Sequence, residues 1–349
     1  MGLFDRRAAA APPPDAERIE QFWHWWTAAG ATAVARALDT GRPHEMVDEI
    51  STRVAAISPD LAWELGPGDT SRHQLIVTPG GDPTARATAR RWVLRAPEPD
   101  PTWAYRDSRQ PSAHPESAAL EIAGERLDVA SAVAAVAVRG AAVDLGVHHP
   151  AYARLDEETQ QVATFLLLDT VLGEATVETW VGAVTASALP PLDPVPLVKV
   201  RGVVRDLAAS FRDEDGAPRW ALFTGESPDG RAVMASTEVP LRAAVAPHLD
   251  TYVGLFLPFT DQTEAGLPGP SALTALRDLE ARVTTALGVD GKPVAHQTSA
   301  GVRVLHVYVD GTTVSVDTVR RVAREWTTGR ADVHVQLDPG WASVAHLRS

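Results

Sequence analysis

The sequence predicts an α+β protein made of two helix-backed antiparallel-sheet domains, the C-terminal one ferredoxin-like. Three observations carry this. Apolar residues recur at helical spacing in several separate segments. Between them lie short β-branched or alternating runs bounded by Gly, Pro and Asp. From residue 251 onward the order reads strand, helix, two strands, helix, strand.

The elements follow in chain order. A helix is expected from the cap residue Asp15, with Ile19, Phe22, Trp23 and Trp26 on its buried stripe and Glu20, Gln21 and His24 opposite. A second follows Pro43, with Met46, Val47, Ile50, Val54 and Ile57 on one side. Residues 61–65 and 73–78 read as a hairpin about Gly66-Pro67-Gly68-Asp69. Asp82 and Pro83 open a helix that runs to about Leu94, and 102–106 is extended. Residues 133–138 and 141–147 are β-rich. Asp156 caps a helix whose expected buried side is Val162, Phe165, Leu166, Leu168 and Leu172, with Gly173 as its stop. Residues 177–184 read as a further strand. The N-terminal half thereby loosely repeats the C-terminal order.

Pro190, Pro191, Pro194 and Pro196 mark a linker. The expected organisation is a disordered tail at 1–14, an N-terminal domain at 15–186, the linker at 187–198 and a C-terminal domain at 199–349. In that last part 220–223, 231–236 and 251–259 are strands. Ser271 opens a helix carrying Leu273, Leu276, Leu279, Val283 and Leu287. Residues 294–299 and 302–309 form a hairpin about Ala300-Gly301. Val319, Val322, Ala323 and Trp326 mark a helix, and Val333, Val335 and Leu337 a last strand.

Composition narrows the function classes. The 349 residues are 45% hydrophobic and 22% charged, which is ordinary globular usage and enough for about two domains. There is no cysteine, so disulfide frameworks, thiolate metal sites and thiol catalysis are excluded. Net charge is −13, and residues 111–190 hold 11 acidic against 3 basic residues. Such a field repels phosphate backbones and disfavours direct nucleic-acid binding; it reads first as a solvated acidic face that aids solubility, and otherwise as a surface that attracts a basic protein partner. Lys199 and Lys292 are the only lysines among 32 basic residues; with the abundant alanine this points to a GC-rich bacterial source. No run reaches the roughly 18–20 apolar residues of a membrane span, and residues 129–138 stop at Arg139. The start, Met1-Gly2-Leu3-Phe4-Asp5-Arg6-Arg7, lacks a hydrophobic signal core, so a cytoplasmic location without membrane contact is expected.

Gly266-Leu267-Pro268 before the helix at 271–287, Ala300-Gly301-Val302-Arg303 leading to Tyr308, and Asp338-Pro339-Gly340-Trp341 form an ordered set. In this order and spacing, residues 220–347 resemble the bacterial family catalogued as domain of unknown function 695. Phe22-Trp23-His24-Trp25-Trp26, Ala96-Pro97 and Trp103 are similar to the unnamed Trp-rich region that often precedes it. The resemblance implies no activity and no catalytic residue. Relatives joined to a domain resembling the ribonuclease E inhibitor imply a regulatory or binding role, by analogy between folds.

Motifs for known chemistry are incomplete. His44-Glu45-Met46-Val47-Asp48 has aspartate where a zinc-protease helix needs its second histidine. Asp213-Glu214-Asp215-Gly216 lacks the spaced ligands of a calcium loop. Gly225-Glu226-Ser227-Pro228-Asp229-Gly230 is one residue too long for a nucleophile elbow. Gly291-Lys292-Pro293 lacks the rest of a phosphate loop. His148 and His149 are adjacent on a strand and point to opposite faces. No catalytic, metal or cofactor residues are assigned, and no cofactor is expected.

One polar set stands out. His306, Tyr308 and Asp310 share one face of their strand, and His334 and Gln336 share a face of the last strand. In a ferredoxin-like sheet the helices cover one side, so His306, Tyr308 and His334 are the candidate binding site on the open side. His296 joins them in one hairpin register and leaves them in the next. Of the ten tryptophans, Trp23 and Trp26 belong to the core stripe, while Trp25 lies off it as an anchor or partner surface. The leading expectation is a non-enzymatic module that binds a protein partner. The alternatives are a hydrolase or transferase using His306, Asp310, His334 and Asp338, and a regulator of a ribonuclease.

Overall fold

The computed structural model describes residues 14–82, 84–227 and 229–348. The tail expected at 1–14 lies outside them apart from Pro14, as do Pro83 and Pro228. Residue contacts divide the chain into two units. One runs to Asp107 and takes in Asp310–Val316; the other comprises Ser108–Val309 and the chain from Asp317. The fold is α+β, with helices and mostly antiparallel sheets.

In the first unit, α1 (Pro14–Trp25) continues through one wide turn at Trp26–Gly30 into α2 (Ala31–Asp39). The stripe Ile19, Phe22, Trp23 and Trp26 is buried, as its spacing requires, and Glu20, Gln21 and His24 are exposed. Helix α3 (Val47–Ile57) buries Ile50, Val54 and Ile57 but leaves Val47 exposed, because residues 43–46 form a separate tight turn. Strands β1 (Ala62–Pro67) and β2 (His73–Thr78) form the expected hairpin. After α4 (Arg86–Leu94), β3 (Trp103–Arg106) lies parallel to β2. This sheet is therefore mixed, not wholly antiparallel, because the chain crosses over through a helix.

Aromatic rings fill this core. Trp23 stacks on Trp92 at 4.5 Å and donates its indole N–H to the Trp92 carbonyl at 2.8 Å. Trp26 donates to the Tyr105 hydroxyl at 2.9 Å. A buried indole N–H needs an acceptor, and each of these finds one. Trp25 packs against Phe22 and lies under the Arg53 guanidinium, 4.4 Å from its ring centroid. The segment Asp310–Val316 brings a carboxylate into the unit: buried Arg91 donates from Nε to buried Asp310 at 3.0 Å.

In the second unit, β4 (Ala119–Ile122) and β5 (Glu125–Asp128) pair as a hairpin, followed by β6 (Val133–Arg139) and β7 (Ala142–His148). Helix α5 (Glu157–Leu172) is capped by Asp156, which accepts the Thr159 N–H at 2.7 Å. Gly173 closes it at φ 82°, and a Cβ there would sit 2.7 Å from the Pro111 ring. The buried side is Ala163, Thr164, Leu167, Leu168, Val171 and Leu172; Val162 and Phe165 are exposed. The expected stripe was thus rotated on the helix, since apolar residues surround α5 and their spacing alone does not choose a side. Residues 177–184 are not one strand: α6 (Glu174–Trp180) precedes β8 (Val181–Ser187).

Beyond the prolines, β9 (Val195–Pro196) pairs with β6. Helix α7 (Leu197–Ser210) sends Leu197, Val200 and Val204 into the same core as Leu145 and Leu168. The sheet order is β8-β7-β6-β9, with β7 and β8 parallel. The loose repeat read in the N-terminal half does not describe these sheets, because β2 and the β6–β8 strands belong to separate ones.

The last sheet has six strands: β10 (Arg219–Glu226), β11 (Ala232–Val239), β12 (Thr251–Pro258), β13 (Gly291–Ser299), β14 (Val302–Val309) and β15 (Asp332–Leu337). Helix α8 (Pro270–Leu287) links β12 to β13, and α9 (Ser315–Ala323) links β14 to β15. The order is β10-β11-β13-β14-β12-β15, antiparallel throughout. Ala300 and Gly301, both at positive φ, turn β13 into β14. Helix α8 buries Leu276, Leu279, Val283 and Leu287. Arg282 of α8 pairs with Glu325, just after α9, at 3.0 Å.

Candidate functional site

The register of the last sheet decides which side chains share a face. Tyr252 lies opposite Tyr308 and Gln336, and Gly254 opposite His306 and His334. Because side chains alternate along a strand, Tyr252, His306, Tyr308, His334 and Gln336 all stand on one face. Val253, Leu255 and Leu305 stand on the other. His296 does not join the polar face. A bulge between Pro293 and Ala295 shifts the register and places His296 opposite Leu305. There it lies 3.7 Å from Glu280 of α8, which also accepts from buried Arg303 at 3.0 Å.

The polar face is not open along its length. The chain after β15 folds back over it, burying Trp341, Val344 and Leu347 with Ala235, Leu249 and Tyr308. Trp341 takes a left-handed conformation, φ 54°, and donates its indole N–H to the Leu249 carbonyl at 2.8 Å. Asp338 organises this turn. Its carboxylate accepts the Ala342 and Ser343 N–H groups, both at 2.8 Å, and the Tyr308 hydroxyl at 2.7 Å. Burial pushes the Asp338 pKa up, but the hydrogen bonds from Ser343, Tyr308 and Ala342 outweigh it and hold the carboxyl below its usual range. Burial and the Asp338 charge push the Tyr308 phenol up.

At the centre of the face, the Tyr252 hydroxyl meets His306 Nδ1 at 2.9 Å. Gly254 makes this possible: a Cβ at that position would stand 2.6 Å from the Tyr252 oxygen. His306 is 5% exposed, and its Nε2 has no hydrogen-bond partner among the described residues. Burial, reinforced by His346, lowers its pKa to about 4. Burial and the Asp338 charge raise Tyr252 to about 12. At neutral pH the pair is a neutral imidazole against a neutral phenol, which positions side chains but carries no charge to a substrate. His334 is exposed, with its ring 6.5 Å from Tyr252 and Nε2 at 3.3 Å from Gln336 Oε1.

The three candidates therefore separate by depth. Tyr308 is sealed under Trp341, His306 is nearly closed off, and His334 faces solvent. The four groups of the hydrolytic alternative each have their own partners: His306 with Tyr252, His334 with Gln336, Asp338 with Tyr308 and Asp310 with Arg91. Asp310 belongs to the first unit, paired with Arg91 and accepting from Thr312. Asp338 is spent on its turn. His148 and His149 also diverge, the first bonding Ser187 and the second Asp128 and Ala151. Among the described residues no group of three or more His, Asp or Glu side chains is placed to hold a metal ion, and no helix is long and apolar enough to cross a membrane.

A second feature escaped the sequence reading. Strand β10 is one of the two outer strands of the six, and six of its eight residues are exposed. Trp220 is 47% exposed and Leu222 65%. Arg219, at the start of the strand, donates its N–H to the Phe211 carbonyl at 3.0 Å, and Ser227 closes the turn to β11 by donating to the Arg231 carbonyl at 2.9 Å. Hydrogen bonding alternates along an antiparallel pair, so Ala221, Phe223 and Gly225 bond β11 while Trp220, Leu222 and Thr224 turn their N–H groups outward. The signal was available in the Trp220-Ala221-Leu222-Phe223 run, but a sequence does not say which strand ends a sheet.

Residues 218–345 match the family of unknown function DUF695, from the start of β10 to the turn that covers the polar face. No curated protein and no solved structure matches the chain at a significant level.

Proposed function

We propose that this chain is a cytoplasmic, non-enzymatic protein-binding module that takes an extended segment of a partner along β10. The reading treats residues 251–337 as a ferredoxin-like unit widened by the β10–β11 hairpin. The strand order β13-β14-β12-β15, with a helix between β12 and β13 and another between β14 and β15, supports it. The observation that carries the proposal is the β10 edge: outward N–H and C=O groups flanked by exposed Trp220 and Leu222, with no proline or lysine to blunt it. Such an edge templates strand addition unless it is protected. The acidic excess at 111–190 favours a basic partner over nucleic acid.

The test uses the full chain and its Thr224→Pro variant. Thr224 is exposed and stands in a non-hydrogen-bonded pair with Met234, so proline there removes an outward donor and leaves the β10–β11 ladder intact. Quantitative affinity capture from cells of the source should recover a stoichiometric partner with the wild type and lose it with Thr224→Pro, at an unchanged melting temperature. Capture of no stoichiometric partner, or equal capture by both forms, overturns the proposal.

A further inference from the structure

Residues 320–330 carry Arg320, Arg321, Arg324 and Arg330 against the single acid Glu325. In a chain of net charge −13 this is a local reversal of sign. Arg320, Arg324 and Arg330 line an open pocket of about 480 Å³ beyond the C-terminal end of α9, with Trp326 and Asp332 also in its wall. Trp326 is 8% exposed and donates its indole N–H to the Pro258 carbonyl at 2.8 Å, which fixes that wall.

Basic residues are common at helix C-termini, where they offset about half a negative charge. That accounts for one arginine, not four. Arg320 also pairs with Asp317 at 3.2 Å, and the Glu325 carboxylate is taken by Arg282 at 3.0 Å. Arg324 and Arg330 pair with no carboxylate among the described residues. Two unpaired guanidiniums on one concave surface repel each other unless an anion lies between them.

We infer that this pocket binds a small molecule through a diphosphate group. Its volume lies within the roughly 300–1,000 Å³ of small-molecule sites and exceeds what a single phosphate fills. Each guanidinium presents a planar fork that takes two oxygens of a phosphate, and adjacent phosphates supply oxygens for more than one fork. Asp332 opposes any anion, but three guanidiniums against one carboxylate leave the wall net positive, and that attraction grows with the charge of the anion.

Calorimetric titration of the full chain tests this, with sodium pyrophosphate, inorganic phosphate and succinate as probes. Pyrophosphate should bind at one site, more tightly than either other anion, and more weakly as salt is raised. Arg324→Gln with Arg330→Gln should weaken it by roughly tenfold or more. Both positions are exposed, so the fold is retained, which circular dichroism verifies. Arg205→Gln, an exposed control on α7, should leave it unchanged. Absence of pyrophosphate binding, tighter binding of succinate, or an equal loss in the control overturns the inference.

Discussion

The indole of Trp341 lies on the phenol of Tyr308, with ring centroids 4.4 Å apart and planes 19° apart. The pair covers the Tyr308 end of the polar face, while His334 on the same face stays exposed. Trp341→Ala should cost about 3–5 kcal/mol, the usual penalty for emptying a buried aromatic site. Trp341→Phe keeps the stack but loses the bond to the Leu249 carbonyl, so its loss should be nearer 1 kcal/mol. Urea unfolding of both variants reads the difference. Equal losses would show that the ring does not pack as described.

Gly254 leaves room for the Tyr252 hydroxyl. Gly254→Ala should destabilise by about 1–3 kcal/mol through overpacking. Adding Tyr252→Phe removes the clashing oxygen, so the alanine should cost less in that background. A double-mutant cycle measures the coupling, and strict additivity would contradict the contact.

His306 makes stability depend on pH. Its folded pKa of about 4 is below the ordinary 6.5 of the unfolded chain. Above pH 6.5 both states are neutral and the full stability is present. Between 6.5 and 4 the unfolded chain takes the proton first, so stability falls; below 4 this group costs nothing further. The loss is on the order of 3 kcal/mol. His306→Asn removes the titration, so its melting temperature should fall less than the wild type's across this window. Parallel curves would count against a buried neutral imidazole.

On the opposite face, buried Arg303 bonds Glu280 and the Thr298 hydroxyl at 3.0 and 2.9 Å. Burial raises the Glu280 pKa, with Arg303 opposing it. Arg303→Ala strands that carboxylate and should cost about 3–5 kcal/mol at neutral pH. Glu280 then titrates higher still, so part of the loss should be recovered on acidification. Denaturation at two pH values checks the sign.

Much of this was legible in the sequence because it is periodic. The stripe from Ile19 to Trp26, the Asp156 cap and the strand–helix order after residue 251 all follow from local spacing. The side of α5 that is buried did not, because Val162 and Phe165 are as apolar as Leu167 and Val171. Helix α7 was missed although Leu197, Val200 and Val204 keep helical spacing, because four nearby prolines suggested a break. The shared face of His306, Tyr308 and His334 was readable from alternation. Its cover was not, since Trp341 reaches Tyr308 only through a left-handed turn set by Asp338. His296 could be placed only once the bulge fixed the hairpin register.

The carboxylate that meets Arg91 comes from a short excursion of the chain, residues 310–316, after the last unit's central hairpin. Cutting the gene after Asp107 therefore yields a fragment whose innermost guanidinium has lost Asp310. Expressed that way, the N-terminal piece should be poorly soluble, and supplying the missing stretch through a short artificial tether should rescue it. Residues far apart along the chain thus belong to one compact unit, and a graft of the N-terminal segment onto another protein should carry both pieces together.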